Sequence, residues 1–123
     1  MERFSFKRRL QSFPFAFNGL RILLREEHNA RIHLVMAIMA ICFGFLLKIG
    51  SKEWIAIIFS ISLVFSFELI NSAVEKLADV VSPEIHPVIK KAKDLAAAAV
   101  LVSSIAALII GLLIFIPKVL AHV

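Results

Sequence analysis

With 123 residues there is room for one domain, and a chain that is 60% hydrophobic with a mean hydropathy of +0.91 lies well beyond the apolar share of a soluble domain. A soluble globular enzyme is therefore excluded, and the chain reads as an all-α integral membrane protein, a single domain over 1–123 without linker or repeat. The net charge of +5 does not point to nucleic acid, because the basic residues are not interleaved with stacking aromatics on a polar surface.

The first segment, 1–30, places Phe4, Phe6, Leu10, Phe13, Phe17, Leu20 and Leu24 at spacings of two to four with basic residues between them. That pattern predicts an amphipathic helix lying on a membrane surface, broken or restarted at Pro14. It lacks the continuous apolar core and small-residue cleavage site of a signal peptide. Three apolar spans follow, over Ile32–Leu47, Trp54–Val74 and Leu95–Ile116. The third has 22 residues without a charge, about 33 Å as a helix and enough to cross a hydrocarbon core of about 30 Å. The first is shorter and is expected to use Arg31 and Lys48 snorkelling to the interfaces. Cys42 lies within it, has no CxxC partner, and reads as core or lipid-facing filler.

Lysine and arginine set the predicted orientation. Eleven of the fourteen precede the first span or lie between the second and third, whereas only Lys48, Lys52 and Lys118 fall on the other side. The positive-inside rule then puts the N-terminus and the 75–94 connection in the cytoplasm. Within that connection, Ser82, Pro83, Glu84, Ile85, His86 and Pro87 form a turn between two helices.

Polar groups in a span need a reason, and the second span ends in several. Glu68, Asn71, Ser72, Glu75 and Asp79 fall within an arc of roughly 100° on a helix, so one face carries them all. Intramembrane acids cost about 2.5 to 3.5 kcal/mol each at the bilayer centre on insertion scales and suggest function by default. Glu27, Glu75 and Asp79 offer hard oxygen ligands near one interface, which suits Mg²⁺ held jointly by one or two carboxylates and the phosphates of ATP. Asp79 serves equally well as a helix-end or pairing residue. Lys93 could neutralise charge on a transferring phosphoryl group, and Glu68, one turn deeper, is placed to accept a proton from a lipid hydroxyl.

Other chemistries lack their motifs. There is no GxxxxGK[ST] loop, no glycine-rich kinase loop and no HExxH zinc pattern. His28, His33, His86 and His122 form no i, i+4 ligand pair; they read as interfacial or surface residues, with His86 the expected exception because it lies in the nucleotide-facing connection. Two rival readings stand beside the enzyme. One is a helix-packing network, with Asn71 and Ser72 bonded across helices and Glu75 paired to Lys93 or Arg31. The other is a non-catalytic membrane module or transporter subunit in which Glu68 carries a proton, which gives no reason for Lys93, Asp94 and Glu27 beside the acids.

The run Glu68, Leu69, Ile70, Asn71, Ser72, Ala73, Val74, Glu75 with Asp79, followed by Ala92, Lys93, Asp94 and Ala96 to Val100, closely resembles the small prokaryotic diacylglycerol kinase family, which includes the undecaprenol kinases. The similarity runs from about Phe6 to Pro117. Glu26, Glu27, Arg31, His33, His86 and Pro87 look most like the undecaprenol kinase branch. The resemblance implies a homotrimer of three-span protomers, each with a surface helix, and active sites shared between neighbours. It implies Mg²⁺ on Glu27 and Glu75, Glu68 as catalytic base, Asn71 near the γ-phosphate, Lys93 on the phosphates, and Asp94 on the nucleotide side. Glu84, Ile85 and His86 match the nucleotide-facing loop, and Arg8 a basic position of the surface helix. Phe15 stands where some members have a tyrosine near the nucleotide, and Ala97 and Ala98 replace serine or glycine found in parts of the family, a change that bears on lipid contacts, with Ala97 toward the substrate, or on helix contacts in the third span. The implied activity is transfer of the ATP γ-phosphate to undecaprenol at the cytoplasmic face of the cell membrane, with diacylglycerol the alternative acceptor.

Overall fold

The computed structural model describes residues 3–123 as five helices: α1 Phe6–Leu10, α2 Ser12–Glu26, α3 His28–Leu46, α4 Ser51–Val81 and α5 Pro87–His122. No strand occurs among the described residues. Three of these helices, α3, α4 and α5, are long and apolar enough to cross a membrane.

The chain breaks at Gln11, where Ser12 Oγ donates to Arg9 O at 2.6 Å, and α2 begins two residues before Pro14. A proline in a first helical turn is tolerated because the N–H it lacks would have no intrahelical acceptor there. Of α2 only Leu23 is buried; Phe13, Phe15 and Phe17 all point outward.

Between α2 and α3 there is no loop, only Glu27 in an extended conformation (φ −103°, ψ 112°). The corner is held by Arg31, whose Nε donates to Leu24 O at 2.7 Å and whose Nη2 donates to Arg25 O. The guanidinium thus satisfies the last carbonyls of α2, where a cation also opposes the helix dipole. Arg31 is exposed at this corner, with its guanidinium turned to the chain's own carbonyls.

On α3 the buried positions are Ala30, Ala37 and Gly44, seven residues apart and therefore on one stripe. Small residues there let a neighbouring helix approach closely. A Cβ on Gly44 would lie 2.7 Å from Cη2 of Trp54, so the glycine makes room for the indole. The same end of α3 closes in a Schellman turn, with Ile49 N–H donating to Gly44 O and Lys48 N–H to Phe45 O, and Lys48 at φ 52°.

Most tertiary packing is between α4 and α5. Helix α4 contains neither glycine nor proline and buries Ile57, Ser60, Val64, Glu68, Ser72 and Ala78, about one residue per turn. On α5, Ser103 is buried and Ala96, Ala99 and Ala107 half-buried, whereas Ala97, Ala98 and Ala106 face outward. With 31 and 36 residues, α4 and α5 reach about 46 and 54 Å at 1.5 Å per residue, longer than a hydrocarbon core of about 30 Å. The last turns of α4 and the first of α5 carry charges, and the excess length is enough for such turns to extend beyond an apolar layer.

Candidate active site

Along α4 the polar face passes from buried to exposed. Glu68 is 3% exposed and Ser72 buried; Asn71 and Glu75 are half-buried, and Asp79 is open to solvent. The Glu27 corner is brought against this face: Ser72 Oγ donates to Glu27 Oε1 at 3.1 Å. Glu27 thereby joins a face that spacing alone assigns to α4.

Two lysines flank the acids. Lys76 Nζ lies 3.0 Å from Glu26 Oε2, and Lys93 Nζ lies 2.6 Å from Asp79 Oδ1. The carboxylates of Glu27 and Glu75 also act on Lys76, and that of Glu75 on Lys93, so Glu75 stands between the two cations. Among the described residues, neither Glu27 nor Glu75 has a cation within ion-pair distance. Asp79 is a pairing residue here, and the partner of Lys93 is Asp79 rather than Glu75.

Beyond this face the 82–86 connection folds over the start of α5 to leave a cleft of about 250 Å³, lined by Asp79, Glu84, Ile85, His86 and Lys93 among others. His86 caps α5, its Nδ1 accepting from Val88 N–H at 3.2 Å, and Pro87 follows at the first helical position. Charged and polar groups thus line a cleft open to solvent, next to carboxylates that become more buried along α4 from Asp79 to Glu68. Such an arrangement can hold a polyphosphate outside while presenting a base to a group inside.

The structure gathers Glu27, Asn71, Glu75 and Lys93 around one end of α4, with Glu84, Ile85 and His86 lining the adjoining cleft. Asn71 Oδ1 is buried with no hydrogen-bond partner among the described residues. Asp94 is turned to Lys90, 2.7 Å away on its own helix. Arg8 and Phe15 sit on α1 and α2, and Ala97 on the outer side of α5; none of the three lines the cleft.

One neighbour escaped the sequence reading. His33 is not a surface histidine: it is half-buried on α3, and its Nδ1 lies 2.9 Å from Glu68 Oε1. The usable signal was helical phase, since His33 follows Glu27 by six residues on a helix whose small stripe, Ala30 and Ala37, turns toward its neighbours.

The carboxylates fit a divalent cation of the Mg²⁺ type. Ser72 engages one oxygen of Glu27, and no group of three or more His, Cys, Asp or Glu side chains among the described residues would enclose a metal unaided. A site that supplies one or two carboxylates and relies on phosphate oxygens for the rest is the usual arrangement for Mg²⁺.

A model of the prokaryotic diacylglycerol kinase family matches residues 14–115. The chain belongs to this family. The match takes in α3, all of α4 and the charged start of α5, and leaves Arg8 outside. Among relatives, the undecaprenol kinase of Bacillus subtilis is 41% identical over 108 residues, 88% of either chain. The diacylglycerol kinase of Helicobacter pylori is 36% identical over 100 residues, 81% of this chain and 78% of that one. The diacylglycerol kinase of Escherichia coli is 31% identical over 104 residues, 85% of each. Membership extends over the whole acidic face, so the family chain and the clustered carboxylates are one and the same region.

Proposed function

We propose that this chain is a membrane-embedded lipid kinase, one domain over its whole length, that transfers the γ-phosphate of ATP to the terminal hydroxyl of undecaprenol. The observation that carries the reading is the descent of one acidic face, from Lys93-paired Asp79 through Glu75 to buried Glu68, inside a chain of this family. The undecaprenol kinase of Bacillus subtilis, 41% identical, supports that acceptor. Diacylglycerol is the second reading, supported by the two diacylglycerol kinases at 36% and 31% identity.

Each residue has a role in this scheme. Glu27 and Glu75 hold Mg²⁺, which when bound neutralises charge on the phosphate oxygens. Lys93 and Asn71 contact the phosphates, and Glu84, Ile85 and His86 border the nucleotide, with Arg8, Phe15 and Asp94 at its periphery and Ala97 toward the lipid. Glu68 accepts the proton of the lipid O–H as its oxygen bonds to the γ-phosphorus and the bond to the β-phosphate oxygen breaks, releasing ADP. Phosphoryl transfer depends on positioning and charge stabilisation, so acids, an amide and a lysine suffice. The eleven-to-three distribution of Lys and Arg supports a cytoplasmic location for this end of the bundle, beside ATP. The outward phenylalanines of α2 with its arginines suit an amphipathic helix on the membrane surface, and the outward Ala97, Ala98 and Ala106 suit close packing in a homotrimer.

The test is to incubate membranes containing the chain with γ-labelled ATP, Mg²⁺ and either undecaprenol or diacylglycerol. Label in undecaprenyl phosphate is the expected result. Label in neither lipid overturns the kinase reading, and label in phosphatidate alone overturns the acceptor.

A further inference from the structure

We propose that His33 is a positioning residue for Glu68: its Nδ1–H holds one oxygen of the buried carboxylate so that the other is presented to the lipid hydroxyl. The inference rests on the lipid-kinase reading for its kinetic test and on geometry alone for its spectroscopic one. Glu68 is 3% exposed, and His33 Nδ1, at 2.9 Å from Oε1, is the one cationic or titratable nitrogen within ion-pair distance among the described residues. The two atoms face each other too obliquely for a hydrogen bond, so both are buried and unsatisfied in the resting geometry. Catalytic hydrogen bonds are often poorly aligned until substrate is in place, and a buried pair at bonding distance but not bonded has that character.

The opposite edge of the ring restricts its role further. His33 Nε2 lies 3.5 Å from Ser104 Oγ, whose own proton is given to Val100 O at 2.7 Å. With the ring's one N–H at Nδ1 for Glu68, Nε2 is the acceptor, and the Ser104 hydroxyl, whose oxygen lies within reach of both Val100 O and the ring, can turn its proton to it. The remaining surroundings are hydrocarbon, because His33 and Ser104 lie on an apolar groove of about 640 Å³ between α3, α4 and α5. Residues from all three long helices thus meet at this ring: His33 from α3, Glu68 from α4 and Ser104 from α5. In the transfer step His33 makes and breaks no bond. The lipid proton passes to Glu68, and the ring fixes where that carboxylate points.

Two variants and one spectrum test this. His33→Leu keeps bulk and removes the donor; kcat is expected to fall roughly 10- to 100-fold, the usual cost of losing an orienting partner. KM for ATP and for the lipid should stay within about threefold, since substrate binding is not what the ring provides. His33→Asn, whose amide N–H stands near the position of Nδ1, should recover most of the lost kcat. A His33→Leu kcat within about twofold of the parent, or a His33→Asn variant as impaired as His33→Leu, overturns the proposal. Independently of turnover, ¹⁵N-histidine NMR of the full chain in micelles should show the His33 Nδ1 resonance move on Glu68→Gln while those of His28, His86 and His122 stay. An unmoved His33 resonance overturns the pairing even where no lipid is phosphorylated. A parent chain that phosphorylates neither lipid yet shows the NMR shift would overturn the kinase reading and leave the pairing standing.

Discussion

At one end of the α4–α5 pair, Glu53 and Lys118 stand 3.6 Å apart, one acid with one base, beside Trp54 packed over Gly44. At the other end Glu26, Glu27, Glu75 and Asp79 meet two lysines, Lys76 and Lys93, each bound to a single acid. Two carboxylates are thus left over there, Glu27 and Glu75, with no cation within ion-pair distance among the described residues. A helix end that only has to close needs no surplus, since like charges brought together destabilise and half-buried ones lose hydration. In the proposed function a positively charged ligand with phosphate partners resolves this surplus.

The comparison is broken most severely at Glu68. Glu68→Gln is nearly isosteric and removes the base, so kcat should fall roughly 10²- to 10⁴-fold, the range of general base catalysis, with KM for ATP nearly unchanged. Steady-state kinetics on the purified chain in micelles decides it. A normal kcat with a raised KM for ATP would show that the deep acid of this face belongs to the nucleotide. Next in size is Glu75→Gln. Losing one pre-organised electrostatic group costs about 10²- to 10³-fold in kcat, and assays across a Mg²⁺ titration should find that the loss persists at saturation while the protein still assembles in membranes. Near-normal turnover at high Mg²⁺ would refute a ligand role.

How far these two ends could be told apart before the fold was known depends on the range of the interactions. The three long helices follow from unbroken apolar runs, and the shared face of Glu68, Asn71, Ser72, Glu75 and Asp79 follows from 100° per residue; both are local properties of the chain. What joins α3 or α5 to α4 was not legible. Lys93 has Glu75 and Asp79 within sequence reach as partners, and only the register of α5 against α4 selects Asp79. Arg31 could have turned outward, but the loop-free corner at Glu27 places the carbonyls of Leu24 and Arg25 within its reach. His33 reads as one more histidine at a helix start until α3 is laid beside α4.

The Asp79–Lys93 pair sharpens the comparison more gently. Lys93 is held by an exposed acid, a contact that solvent screens and that contributes little. Asp79→Asn preserves shape and frees the lysine for phosphate, so KM for ATP should fall by up to about fivefold with kcat little altered. A rise in KM would mean that Asp79 itself belongs to the metal–nucleotide site, making three acids of the face ligands rather than two.

The smallest effect is expected at the far end. Glu53→Gln breaks the contact with Lys118, yet no step of the proposed transfer takes place there, so kcat and both KM values should stay within about twofold of the parent. The relevant cost is structural. The pair is only partly buried, with about one third of each side chain exposed, and solvent screening limits its worth to about 1 kcal/mol or less. One oxygen of Glu53 is moreover buried without a hydrogen-bond partner among the described residues, and replacing the carboxylate by a neutral amide lowers the desolvation penalty there. These effects oppose each other, and thermal unfolding in micelles should find Tm changed by only a few degrees. A loss of turnover as deep as that of Glu75→Gln, at unchanged Tm, would erase the distinction between the two ends, because it would place chemistry at an end whose acid, Glu53, already has Lys118 as its partner.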